Sequence, residues 1–224
     1  MEHTFSARIQ AHPSREHLWP DLIRALAPMP VAVSIHESSP PSPWDGYKQA
    51  LRSLLDDPAQ PTHGLILQED TKVCRNFPLA VERVVTRYPD IPILLYLSWL
   101  PRRAAMLANK CAPTTRYLEL HLHSNEFMPV VAVLWPMTKA EEFLMWAENN
   151  PRRLGHPQPR SDDGVAGRWC GYTKQRVVAT LPSLVQHEDL IPSIWGRRES
   201  WGRDKGRVAL RFVGDGDPLE LDWS

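Results

Sequence analysis

The sequence predicts an α/β protein, with a central, mainly parallel sheet flanked by helices and an irregular C-terminal tail. Three observations predict it. Short apolar, β-branched runs alternate with segments of helical periodicity through the first half of the chain. Alternation of this kind places helices on the faces of a parallel sheet. The 22 Pro residues among 224 favour short elements and ordered loops over a helical bundle.

The elements follow in order. Ala7–Gln10 reads as a first strand, and Ala11-His12-Pro13-Ser14-Arg15 as a turn. His17–Leu26 has Leu18, Leu22, Ile23 and Leu26 on one helical face. Val31–Ile35 is a short β-branched strand, followed by a Ser- and Pro-rich loop. Trp44–Leu55 reads as a helix with Tyr47, Ala50, Leu51, Leu54 and Leu55 inward, and Asp56–Pro61 breaks it. Gly64–Leu67 is a buried strand that stops abruptly at Gln68-Glu69-Asp70. Phe77–Tyr88 carries the core stripe Val81, Val84 and Val85, and Ile93–Leu97 reads as a fourth strand. The crossovers between these strands are expected to be right-handed.

The second half is less regular. Arg102–Tyr117 is ambiguous. Val130–Trp135 reads as a strand, Lys139–Asn149 as a helix, and Pro151–Gly167 as an irregular loop. Val177–Thr180 reads as a short strand running on into Leu181–His187, and Val208–Val213 as a strand-like run. Residues 1–193 are assigned to the main domain and 194–224 to a C-terminal extension or tail. No internal repeat is visible.

Composition bounds the function. Lys+Arg and Asp+Glu are both 26, so no net charge argues for bulk nucleic-acid binding. Cys74, Cys111 and Cys170 are dispersed and odd in number, which points away from a disulfide framework and toward a reducing cytoplasm. The first residues lack an apolar signal region, and the longest apolar stretches are too short to span a bilayer, so no membrane segment is expected.

Two acids where a buried strand leaves the core are not explained by packing. Ligands of open α/β sheets bind at the carboxyl ends of the strands, and hard cations take oxygen ligands. Glu69 and Asp70 are therefore a candidate metal–phosphate site, with a polar loop as the simpler reading. Asp162 or Asp163 can serve as a general base, against the simpler reading of a solvated turn. His187 is a candidate further metal ligand or a structural histidine. His12 and Arg15 follow the first strand, and Arg suits bidentate phosphate contacts. Trp44 and Lys48 open the second helix, where an aromatic can stack on a base and a cation can meet a phosphate; the packing alternative is a hydrophobic staple. His121-Leu122-His123 with Glu126 is a weak zinc motif without a third ligand. Arg197, Arg198, Arg203, Lys205 and Arg207, interleaved with Trp195 and Trp201, read as a basic tail or as a contact for nucleic acid or a sugar chain. No GxGxxG, Walker A or GxSxG motif is present.

Together these parts resemble the GT-A-fold glycosyltransferases of actinobacteriophages and their hosts. The resemblance rests on His12-Pro13-Ser14-Arg15, the Pro43-Trp44 helix start, Gln68-Glu69-Asp70, Cys74-Arg75-Asn76-Phe77, Ala132–Pro136, the Asp162-Asp163 segment and Leu184–His187, across roughly residues 7–193. It implies a GT-A-like domain, a nucleotide-sugar donor and a divalent cation, Mn or Mg. Gln68-Glu69-Asp70 stands where the family has Asp-x-Asp. The resemblance makes Asp70 and His187 the metal ligands, Gln68 and Glu69 donor contacts, with Glu69 on the ribose or sugar, and Asp162 or Asp163 the base of an inverting enzyme. A retaining enzyme would use them differently. The acceptor implied is a virion protein, modified DNA or a glycan, in the host cytoplasm if the chain is phage-encoded. Two rival readings remain: a metal-dependent nuclease or phosphatase using the same carboxylates, and a non-catalytic virion-associated binding protein with a degenerate transferase fold.

Overall fold

In the computed structural model, which describes residues 3–37, 42–99, 102–154, 161–188, 208–214 and 216–223, the apolar runs meet in one seven-stranded sheet. In chain order the strands are β1 (Phe5–Ala11), β2 (Val31–Ile35), β3 (His63–Gln68), β4 (Thr71–Val73), β5 (Ile93–Leu94), β6 (Tyr117–His121), β7 (Ala132–Pro136), β8 (Arg176–Thr180) and β9 (Val185–His187). The main sheet runs β2-β1-β3-β7-β5-β8-β6, and β4 pairs with β9 in a separate ribbon. β1 is parallel to β2 and β3, and β5 to β8, while β7 and β6 run against their neighbours. Five strands thus share one direction. The sheet is mixed and mostly parallel, as expected, except that the late strand β7 inserts antiparallel between β3 and β5.

The helices are α1 (Trp19–Leu26), α2 (Pro43–Leu55), α3 (Phe77–Arg87), α4 (Arg102–Lys110), α5 (Met137–Asn149) and α6 (Asp162–Thr173). Alternation of strand side chains divides the core into two layers. Leu65 and Leu67 of β3 pack with Leu22 and Leu26 of α1 and with Val81 and Val84 of α3. Ile66 faces the other way, toward Leu51 and Leu54 of α2, Phe143 of α5 and Trp169 of α6. A strand buried on both faces reads as an unbroken apolar run, which is why Gly64–Leu67 is so plain in the sequence.

Several expectations are revised. The ambiguous stretch from Arg102 resolves into α4 and β6. The first helix is shorter, because Pro13–Leu18 forms a 3-10 turn ahead of α1. Pro151–Gly167 is not one loop: Asp162 and Asp163 occupy the first turn of α6, capped by Ser161, whose Oγ accepts from Gly164 N–H at 3.3 Å. Ser161 as N-cap followed by two acids is a helix-start signal, but the neighbouring Gly made it read as a turn. Val208–Val213 forms no strand; Phe212 makes one parallel bridge with Ser183.

The described part of the C-terminal stretch lies against the main body. Arg211 Nη2 donates to the Ala108 and Cys111 carbonyls at 3.1 and 3.0 Å, and Asn76 Nδ2 to Asp217 Oδ2 at 3.0 Å. Trp223 is 5% exposed and packs in the α1–α3 layer. The basic and aromatic residues 195–207 fall outside the described residues. Among the described residues, no helix is long and apolar enough to cross a membrane.

Candidate functional site

The chain leaves β1 in one direction to form β2, then crosses back to form β3 on the other side of β1. That reversal is a topological switch point, the place at the carboxyl ends of the strands where ligands of open α/β sheets bind. Gln10 of β1 and Gln68 of β3 sit there in register. Each amide donates to Asp162 Oδ2 at 3.5 Å, so the N-terminus of α6 is tied to both strand ends. Gln10 Nε2 also donates to the Pro43 carbonyl at 3.0 Å, which adds the start of α2.

Glu69 and Asp70 form the tight turn between β3 and β4, and both are buried. Glu69 N–H donates to the Gln10 carbonyl at 3.1 Å. Its carboxylate faces the turn after β1: Oε2 accepts from the His12 backbone N–H and Oε1 from Arg15 Nη1 at 3.0 Å. The same Arg15 nitrogen donates to Asp70 Oδ2 at 2.9 Å. Arg15 departs from helical geometry within its 3-10 turn (φ −119°, ψ 20°) and is 7% exposed. The side chain of His12 caps that turn, with Nδ1 accepting from Ser14 N–H at 3.3 Å.

His187 reaches the site through the small ribbon. Thr71 of β4 is in register with His187 of β9, and Glu188 N–H donates to the Asp70 carbonyl at 2.8 Å. His187 Nε2 lies 3.4 Å from Asp70 Oδ1. The ribbon thus brings Asp70, one residue before β4, beside His187, although more than half the chain separates them.

Burial sets the electrostatics. It is the main cause that raises the Glu69 carboxyl above its ordinary range; the His12 N–H and Arg15 partly offset it. Burial likewise raises Asp162, opposed by hydrogen bonds from the Asp163 N–H, Gln10 and Gln68. Asp163 is raised by burial first and by the charge of Asp162 second, and lowered by the Val130 N–H, which it accepts at 2.8 Å. Asp162 Oδ1 accepts from the Asp163 N–H at 2.9 Å. The two acids are therefore distinct in position. Asp162 Oδ2 faces the strand ends, whereas Asp163 holds the segment before β7.

The sequence-selected residues divide accordingly. Arg15, Glu69, Asp70 and His187 form one contiguous polar cluster, with His12 at its margin. Asp162 meets Gln68 at the strand ends, and Gln68 directly precedes Glu69 in the chain. Trp44 is 3% exposed and packs against Phe143 with ring centroids 5.6 Å apart, so its indole lies in the core, as a packing residue at a helix start would. Lys48 Nζ donates to Asp45 Oδ1 at 3.2 Å within α2. His121 and His123 are exposed, and His123 Nε2 pairs with Arg103 Nη1 at 2.8 Å. Gln10 was missed as a site residue. Nothing local marks it, because its role comes from strand register with Gln68.

A carboxylate and an imidazole are fitting donors for Mn or Mg. The arrangement does not fit such an ion as it stands. Arg15 Nη1 lies within hydrogen-bonding distance of both carboxylates, where an ion bridging them would lie, and among the described residues no three His, Cys, Asp or Glu side chains converge as a metal cage. No protein-family model matches the chain, and no curated protein sequence matches it closely enough to indicate kinship.

Proposed function

We propose that the chain is a glycosyltransferase that moves a sugar from a nucleotide-sugar donor to a hydroxyl acceptor at the β1–β3 switch point. The observation that carries this reading is convergence. A buried carboxylate, Asp162, and a buried cation, Arg15, adjoin one switch point of a mostly parallel sheet.

In the proposed reaction the acceptor oxygen bonds to the anomeric carbon as the bond from that carbon to the diphosphate oxygen breaks. The diphosphate leaves with the electron pair, and the acceptor proton passes to Asp162. A carboxylate raised by burial takes a proton more readily than an exposed one. Gln10 and Gln68 hold the accepting oxygen at the strand ends. Arg15, whose guanidinium is shared with Glu69 and Asp70, would stand on the donor side and contact the leaving diphosphate. Glu69 orients Arg15 and the turn that carries it, since both of its oxygens accept hydrogen bonds from that turn. A Mn or Mg ion, as the family resemblance implies, would reach Asp70 and His187 with Arg15 moved aside.

A thermal-shift screen of UDP-, GDP-, ADP- and TDP-sugars against single-stranded oligonucleotides tests the class. A nucleotide-sugar at a hundred times its dissociation constant adds about 2.7 kcal/mol to stability, roughly 5–11 °C in Tm for a chain of this size. Asp162→Asn is expected to retain that shift and to lose sugar transfer. Stabilisation by oligonucleotides alone would replace this reading with the nuclease one. Absence of any nucleotide-sugar shift would leave the binding-module reading.

A further inference from the structure

Arg15 occupies the position of a resident cation. One nitrogen, Nη1, donates to Glu69 Oε1 at 3.0 Å and to Asp70 Oδ2 at 2.9 Å. Both carboxylates and the guanidinium are buried. Two neighbouring buried carboxylates need a counter-charge, because both cannot stay ionised without one. His187 Nε2 stands 3.4 Å from the other Asp70 oxygen, Oδ1. We propose that Arg15 is the built-in cation of this site, and that it and a divalent metal ion are mutually exclusive occupants of the Glu69–Asp70 carboxylates.

The argument is steric and electrostatic. Mg holds its oxygens at about 2.0–2.1 Å, and larger cations at about 2.3–2.6 Å. An ion bridging Glu69 Oε1 and Asp70 Oδ2 would therefore overlap the Arg15 nitrogen that already bridges them. An ion that displaced it would in turn leave a buried guanidinium without its carboxylates, at a cost set by desolvation. The exclusion is a coupling between two occupants, and it is reciprocal: whatever draws Arg15 away favours the ion by the same factor. It holds whatever donor or acceptor the site takes.

Titration of Mn into the full chain, followed by the electron paramagnetic resonance signal of the free ion, tests this without any assay of activity. Arg15→Gln is expected to bind one Mn at least roughly tenfold more tightly than the native chain. Adding Asp70→Asn to that variant is expected to abolish the gain. Equal binding by the native chain and Arg15→Gln overturns the proposal, as does a gain that survives Asp70→Asn. Should Arg15→Gln not fold, as judged by circular dichroism, a comparison of two chains that both carry Glu69→Gln replaces it. Glu69→Gln keeps Arg15 beside Asp70, and Arg15→Met/Glu69→Gln removes it. Roughly tenfold tighter Mn binding by the double variant supports exclusion, and equality overturns it.

Discussion

Asp163 is a half-buried acid whose environment favours its neutral form. Burial and the neighbouring Asp162 push its carboxyl up to about 8, against one hydrogen bond from Val130. A carboxyl raised in the fold stabilises the native state most fully below its unfolded pKa of about 3.9. That contribution is lost as pH rises through the folded value. Asp163→Asn removes the titration and keeps an oxygen to accept the Val130 N–H. The variant is expected to gain on the native chain between pH 5 and pH 9 by at least about 1 kcal/mol, or about 2–4 °C in Tm. Paired melts across that range measure it, and a constant difference between the two proteins would contradict the assignment. At this scale the sequence exposes residues that break a local pattern. Glu69 and Asp70 stand out because an apolar run ends on them, and the structure brings them to Arg15 and His187. Gln10 does not stand out, since a polar residue closing a strand is ordinary until its neighbour in the sheet is known.

At the scale of elements, α6 is what carries Asp162 to the strand ends, and Gly167 and Gly171 set how closely it lies to the segment before β7. A Cβ on Gly167 would fall 1.9 Å from the Glu126 carbonyl oxygen and 3.1 Å from Met128 N, both backbone atoms. Helix propensity alone favours Gly→Ala by about 1 kcal/mol. Here the clash dominates, because the 126–130 segment is pinned to α6 through Met128 N–H to the Asp163 carbonyl and Val130 N–H to Asp163 Oδ1. Gly167→Ala is expected to destabilise by roughly 1–3 kcal/mol in urea unfolding. Gly164→Ala comes too close only to the end of the Arg168 side chain, which can swing aside, and is expected to cost less. A stabilising Gly167→Ala would show that the close approach is misread. The first three β-α pairs were legible because hydrophobic period is a local property. The antiparallel insertion of β7 was not, because partner choice between distant strands leaves no local trace. The start of α6 was misread for a different reason: Asp and Gly serve turns and capped helix starts alike.

At the scale of the molecule, residues 208–214 and 216–223 pack against the body that holds the site. Gln186 Oε1 of β9 accepts from Ala209 N–H at 2.8 Å, so the ribbon bearing His187 is backed by the C-terminal stretch. Further on, Arg83 Nη1 donates to the Leu219 carbonyl at 2.6 Å, and Tyr117 Oη to the Trp223 carbonyl at 3.0 Å. The Trp223 indole lies 5.6 Å from the Tyr117 ring, with Nε1 donating to the Pro218 carbonyl at 2.7 Å. Sequence alone set residues 194–224 apart, since their Gly, Asp and Arg content hides the few apolar anchors among them. Burial predicts how such an anchored end behaves. Truncating a buried Trp to Ala removes a large apolar surface and leaves a cavity, at about 3–5 kcal/mol. Trp223→Ala is therefore expected to lower the stability of the whole chain by roughly 3 kcal/mol in one cooperative transition. A separable tail would instead leave the main transition within about 0.5 kcal/mol of native, as substitutions away from the core do. Denaturant unfolding followed by both far-ultraviolet circular dichroism and Trp fluorescence distinguishes the two, because a docked end requires both signals to move together.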